Sequence, residues 1–527
     1  MSGTGTLALA GSNSFQSTVN VNSGTVAVSN SSGLGSNTTT NVASGATLGL
    51  SGGITVGENT INSAGTIAST GGNNSITNQV NLTGNSTFTN SASGTTMTYT
   101  NQVSTGGSSS GNGYTLTVTG TGNTSFTGQI AGYGNLNSQT TGNATYGNIY
   151  TTGGTVTLGG TGTGTTVTVT GSIGNESSLT ISNPGTTNIQ GTTNVSGPLT
   201  VNGGGAVTFG GDVNASGTIN LGGTGGSITL NSNLNDSVAG GNLVISGSSA
   251  VNLNGSSVNL SSGLTVNGTG AVNVASNVNL GSSALTLASS GTVNFTGSQI
   301  NAGSVSLANS GAANLSSQIN AGGLTVTGSG TTTLSGTSNN NISGTVAVSG
   351  GGTLVLDKTG GATALSGNIT VAAGSAVQFA ANNQLANASS DSISLAAGSS
   401  LLLNGTTQTI GTLTVNGNSV IDFGSSTSNV TIGNVVLVGS SVLTIQNYNS
   451  STDNFYATVN PGSSSLASIV FQPQNQVATW NSGSSTITPS SPVPEPRTYG
   501  FLLVGASLAL LGFRRYARRP RTAGVAG

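Results

Sequence analysis

The sequence predicts an all-β chain: a right-handed parallel β-helix with about 20–21 residues and three short strands per rung, followed by a short C-terminal membrane helix. Three observations predict it. Gly-rich breaks divide the middle of the chain into units beginning at 186, 206, 227, 250, 271, 292, 312 and 331. Each unit carries three short runs of alternating apolar and small polar residues, with nothing helical between them. The chain then ends on an uncharged apolar stretch followed by arginines.

Alternation puts every second side chain on one face of a strand. The first run of each unit supplies Val207/Phe209, Ile228/Leu230, Val251/Leu253, Val272/Val274 and Val293/Phe295. The second supplies Val213, Leu234, Val258, Val278 and Ile300, and the third Ile219/Leu221, Leu243/Ile245, Leu264/Val266, Leu285/Leu287 and Val305/Leu307. Strands this short bury nothing alone, so equivalent positions must stack rung on rung, about 4.8 Å apart. Coiling through residues 1–404 and the final rungs gives a rod roughly 100 Å long. Asn252, Asn273, Asn294 and Asn314 fall between apolar pairs and are expected to form a solvent-facing ladder. The repeat is less regular from 1 to 185, where the stretch from Tyr133 to Tyr150 is expected to lengthen the loops.

Residues 423–480 hold six aromatics: Phe423, Tyr448, Phe455, Tyr456, Phe471 and Trp480. An exposed last rung is an unpaired strand edge that invites aggregation. Residues 405–480 therefore read as terminal rungs plus an aromatic-rich cap, with a small separate β-domain as the alternative. Residues 481–493 read as a Ser/Pro linker, 494–521 as a C-terminal signal with an apolar helix over 499–513, and 522–527 as a tail.

Composition removes whole classes of function. The 527 residues include 87 Gly, seven Lys or Arg, nine Asp or Glu, and no Cys or His. Imidazole bases, Ser-His-Asp and Cys-His nucleophiles, zinc sites of the usual N/S type and disulfides are all absent. Residues 1–496 carry a charge of −8 with Lys358 as their single base, while 497–527 carry six Arg and +6. A body with one cation cannot neutralise a phosphate backbone, which excludes nucleic acid as a partner.

Parallel β-helices include polysaccharide lyases and hydrolases, whose chemistry needs convergent carboxylates. Asp212 and Asp236, one rung apart, are the best candidate pair, but no base accompanies them and the expectation is solvated turn acids in a protein that is not an enzyme. Asp357 and Lys358 read as surface charges on opposite sides of one strand. Nine scattered acids cannot supply a repeated calcium motif, so no metal or cofactor is expected. Outward Asn, Thr and Ser could match an extracellular polysaccharide, although stacking aromatics are missing from the repeat faces. A regular Thr array suited to ice is not present.

At the C-terminus, Val493, Pro494, Glu495 and Pro496 precede an uncharged run from Tyr499 to Phe513, then Arg514, Arg515, Arg518, Arg519 and Arg521. Fifteen helical residues span about 22 Å, short of the roughly 30 Å hydrocarbon core. Snorkelling arginines extend such a span and place the basic end in the cytoplasm. This order of features resembles the PEP-CTERM sorting signal of Gram-negative bacteria. The resemblance implies recognition by an exosortase-like membrane enzyme, transient membrane contact, and an extracytoplasmic destination in the envelope, on the surface or in a secreted matrix. The segment 3–30, with Gly5-Thr6-Leu7, Gly11, Asn13, Phe15 and Gly24-Thr25-Val26, is similar to the autotransporter-associated β-strand repeat, and 328–356 echoes it more weakly. No translocator barrel follows, and the first sixteen residues lack a basic signal-peptide region, so the export signal is expected upstream of Met1.

Overall fold

A computed structural model describes residues 1–36, 39–57, 60–109, 112–236 and 241–490. They form a right-handed all-β solenoid of about 21 turns with almost no helix. Each regular turn contributes one strand to each of three faces, here called first, second and third after the runs that build them. Every pairing from Thr6–Leu9 to Ile469–Phe471 is parallel, and the register aligns equivalent residues: Val207 on Ile228, Ile228 on Val251, Val251 on Val272, Val272 on Val293. All of the apolar residues named from the three runs lie inside, at most 1 % exposed. Like therefore stacks on like, and one continuous hydrophobic column fills the rod.

The stretch from Tyr133 to Tyr150 does not lengthen the loops. It forms the strands Asn135–Thr140, Ala144–Tyr146 and Ile149–Thr151, and Ile149 stacks directly on Ile130. The alternation survives there because Ser138 and Thr140 take inward places otherwise held by aliphatics. The same part of the rod contains a parallel stack of rings, Phe88, Tyr99, Phe126 and Tyr146, with successive centroids 4.8, 4.7 and 5.3 Å apart.

The three-faced plan changes after Asn341–Ile342, the last strand of the 16-stranded second face. Leu365 and Leu385 keep only an isolated bridge there. In the next two turns the second and third runs fuse into the nine-residue strands Thr407–Val415 and Asn429–Leu437, which bend at Gly411 and Gly433. A Cβ on Gly433 would run into the Gly411 carbonyl oxygen, so the bend needs glycine on both rungs.

Parallel rungs continue through Ile469–Phe471; the hairpin Gln476–Asn481 and Thr486–Pro489 then reverses direction, pairing antiparallel with Ile469–Phe471 on one side and at Tyr456 on the other. Phe423, Tyr448, Phe455 and Phe471 pack beneath it, and the Trp480 Nε1 donates to the Ala457 carbonyl at 3.2 Å. The first part of the Ser/Pro stretch is thus not linker. Ile487 is fully buried, which anchors Thr486–Pro489 as the closing strand and covers the last edge.

Val493, Pro494, Glu495, Pro496, the apolar run 499–513 and Arg514, Arg515, Arg518, Arg519 and Arg521 lie outside the described residues. Among the described residues no helix is long and apolar enough to cross a membrane.

Candidate functional site

The outer surface is built from columns of side chains, because alternation along each short strand turns the residues between the inward ones outward and the register stacks them rung on rung. On the first face Asn252, Asn273, Asn294 and Asn314 form the expected ladder, each Nδ2 donating to the Oδ1 of the preceding rung at 2.8–2.9 Å. A longer column occupies the second face. Eight successive rungs place asparagine at the same point: Asn194, Asn214, Asn235, Asn259, Asn279, Asn301, Asn320 and Asn341. Amide bonds of 2.7, 2.9 and 3.0 Å link the first four in one direction, donor always on the later rung. A second, shorter column joins Asn20, Asn41 and Asn62 nearer the N-terminus. An amide linked only along its column keeps one N–H and part of its carbonyl for solvent or a ligand, whereas Asn259 also donates to the Ser257 hydroxyl.

Asp212 and Asp236 do not converge. Asp212 sits half-exposed at a corner, where Oδ1 accepts the Asn233 N–H at 3.0 Å. Asp236 is an inward residue of Leu234–Asp236, 7 % exposed, with Oδ2 accepting the Ser261 hydroxyl at 3.2 Å. Most of the other described acids likewise hold backbone: Asp391 accepts the Asn387 N–H, Asp453 those of Ser428 and Asn449, and Asp422 that of Gly424. Glu176, Asp236, Asp391 and Asp453 are buried, correcting the expectation of solvated turn acids. The carboxylates of Glu176, Asp391 and Asp453 accept backbone N–H groups in place of strand carbonyls. Among the described residues no group of three or more potential ligands is placed to hold a metal.

Glu176 is the most unusual of them. The strand Ile173–Glu176 carries a bulge, with Asn175 at φ 70°, so Gly174 and Glu176 face successive residues of the next rung. The bulge swings Glu176 inward, fully buried; Oε1 accepts the Thr151 N–H at 3.1 Å, while Oε2 has no partner. Burial pushes its carboxyl up from 4.5 to about 7, the backbone hydrogen bonds only partly opposing this. The buried hydroxyls of Tyr99, Thr124, Thr151 and Thr193 also lack partners.

Lys358 is a second correction. It lies inside, 1 % exposed, because the strand Thr353–Lys358 extends its alternation one step beyond Leu356 and meets Gly336 across the register. Its Nζ donates to the Ser317 carbonyl at 3.0 Å, and Asp357, facing outward, gives it no counter-charge. Desolvation lowers its pKa from 10.5 to about 8. A depressed ammonium makes the native state bind fewer protons than the unfolded chain between those values. Stability is therefore expected to rise from about pH 8 to 10.5, by up to about 3 kcal/mol. Chemical denaturation should show that rise in the wild type and its loss in Lys358→Met; an identical profile in both would remove Lys358 as its source.

Comparison with family models, curated proteins and solved structures finds no match to this chain.

Proposed function

We propose that the protein is a structural or adhesive element of a bacterial envelope or extracellular matrix, exported and sorted by its C-terminal signal, and that it works mechanically rather than by catalysis. The observation that carries this reading is the uninterrupted parallel stack of about 21 turns. A rod of this kind presents the same chemistry over roughly 100 Å. Its sides carry hydroxyls and amides with few charges, so salt does little to its contacts. The resemblance of Val493-Pro494-Glu495-Pro496 and the Arg-flanked apolar run to a sorting signal supports the address, with an exosortase-like enzyme and the membrane as transient partners.

Mass spectrometry of both termini of the native protein, recovered from envelope and medium, tests the reading. The expected product ends near Pro496 and lacks Tyr499–Gly527. A full-length chain retained in the membrane would instead make the apolar run a permanent anchor and remove the processing step.

The amide columns favour a second reading, a module that binds extracellular polysaccharide. Periodic amides offer many weak, repeated hydrogen bonds that sum through avidity. Retention on immobilised polysaccharide separates it from a purely mechanical rod.

A further inference from the structure

The second-face column is interrupted at one place, and the interruption has its own chemistry. Between Asn81 and Asn194 the outward positions are Ser104, Ala131, Tyr150 and Gly174. Tyr150 thus stands between two small residues, stacked on Ala131 on one side and followed by Gly174 on the other. Its ring lies over Gly174: a Cβ there would fall 2.9 Å from Cε1 and 3.0 Å from Cδ1. Gly174 is buried beneath the ring, while Tyr150 itself stays half-exposed. A repeat face on which stacking aromatics were not expected therefore presents one, with its ring laid across the next rung.

Polar groups occupy the neighbouring positions on the following rungs. The amide ladder runs one way, so Asn214 donates to the Oδ1 of Asn194 and the Nδ2 of Asn194 donates to no described residue. Asn194 is exposed and follows Gly174 in the same column. Asn175, lifted out by the bulge at φ 70°, is also exposed, and its side chain makes no hydrogen bond to a described residue. The Tyr150 hydroxyl makes no hydrogen bond to a described residue, the outward positions of these rungs hold no ionic group, and Glu176 points inward.

We propose that Tyr150, Asn175 and Asn194 form a subsite for a neutral pyranose of a polysaccharide lying along the second face. The proposal rests on the glycan-binding reading and gives it an address. A sugar ring offers an apolar C–H face to the tyrosine ring and hydroxyls to the free amide and phenol groups. The absence of nearby charge selects against anionic ligands. An extended peptide has no purchase here, because the backbone groups of these internal strands are engaged by the rungs above and below. The ladder from Asn194 onward then continues the contact rung by rung.

Native affinity electrophoresis of the full chain in gels containing dextran, soluble starch, xyloglucan or hydroxyethylcellulose tests it. Retardation by at least one polysaccharide is expected, weakened about tenfold or more in Tyr150→Ala and less in Asn194→Ala. Tyr150→Phe should keep most of the binding, and Asn294→Ala, on the first face, should keep all of it. Unchanged β-sheet circular dichroism in Tyr150→Ala excludes misfolding as the cause. Wild-type retardation in Tyr150→Ala would overturn the subsite and leave the glycan reading standing; no retardation in any of the four gels would overturn both.

Discussion

At about pH 8, Glu176→Gln is expected to make the rungs around residues 149–201 more stable than wild type by about 3 kcal/mol, and near pH 4.5 to make little difference. The sign follows from proton linkage. The folded carboxyl titrates near 7 and the unfolded one near 4.5, so between those values the native state holds a proton that the unfolded chain has released. The stabilisation associated with that proton is complete below about pH 4.5 and is lost as pH rises through 7. Above it, a buried carboxylate remains with backbone donors alone, the Thr151 N–H among them, and an Oε2 without partner. The strands Ile149–Thr151 and Thr193–Val195 that stack on it bring no Asp, Glu, Lys or Arg to offset the charge, and neither do Thr155–Gly160, Thr166–Val169 and Ser178–Ile181 on the other faces. Glutamine keeps the acceptor for Thr151 and cannot ionise.

Because each turn contacts only its neighbours, the effect should be local rather than spread over the rod. Amide hydrogen exchange, corrected for intrinsic rates, should show faster opening of residues 149–201 at about pH 8 than at pH 5 in the wild type. Residues 250–330 should show no such difference. A wild-type pH response that persists in Glu176→Gln would assign it to another group.

Glu176 also illustrates where the sequence is legible and where it is not. Strict alternation from Ile173 puts residue 175 inside and 176 outside; the left-handed Asn175 reverses the phase, and nothing in the composition announces that reversal. The apolar pairs of the first and third faces were readable because a Val-x-Phe or Leu-x-Val triplet fixes two inward positions at once. The second face offers only one strong apolar residue per rung. Its asparagine column went unrecognised there, although the pairs Val213-Asn214, Leu234-Asn235, Val258-Asn259, Val278-Asn279, Ile300-Asn301 and Ile319-Asn320 spell it out. Lys358 was misplaced for a different reason. Charge argues for the surface, yet here the strand's own alternation decides, and its long stem reaches the Ser317 carbonyl. The closing strand Thr486–Pro489 was hidden among turn residues, since only Ile487 marks its inward side.

Gly205→Ala is expected to be among the most damaging single changes, with a cost of several kcal/mol, well above the ~1 kcal/mol typical of point substitutions. The reason is the close approach of backbones at one corner. Gly185, Gly205 and Gly226 succeed one another on adjacent rungs; a Cβ on Gly205 would run into the Gly185 carbonyl oxygen, and one on Gly226 into the Gly205 carbonyl carbon. No flexible side chain is available to yield, so the rungs themselves must separate, straining the Val207–Ser227 and Thr187–Ala206 backbone bonds of 2.8 Å on either side. Gly45 and Gly164 have open space where a Cβ would go, but Gly45 has φ 79°, so Gly164→Ala is the matched control. Limited proteolysis should cut Gly205→Ala near this corner and release two protected fragments, while Gly164→Ala stays as resistant as wild type. The two halves persist because each still holds many mutually supporting turns, and a stack of this kind fails at its weakest junction instead of all at once. Equal resistance of Gly205→Ala and Gly164→Ala would mean that the corner relaxes without loss, and that the rung spacing there is set by the apolar column alone.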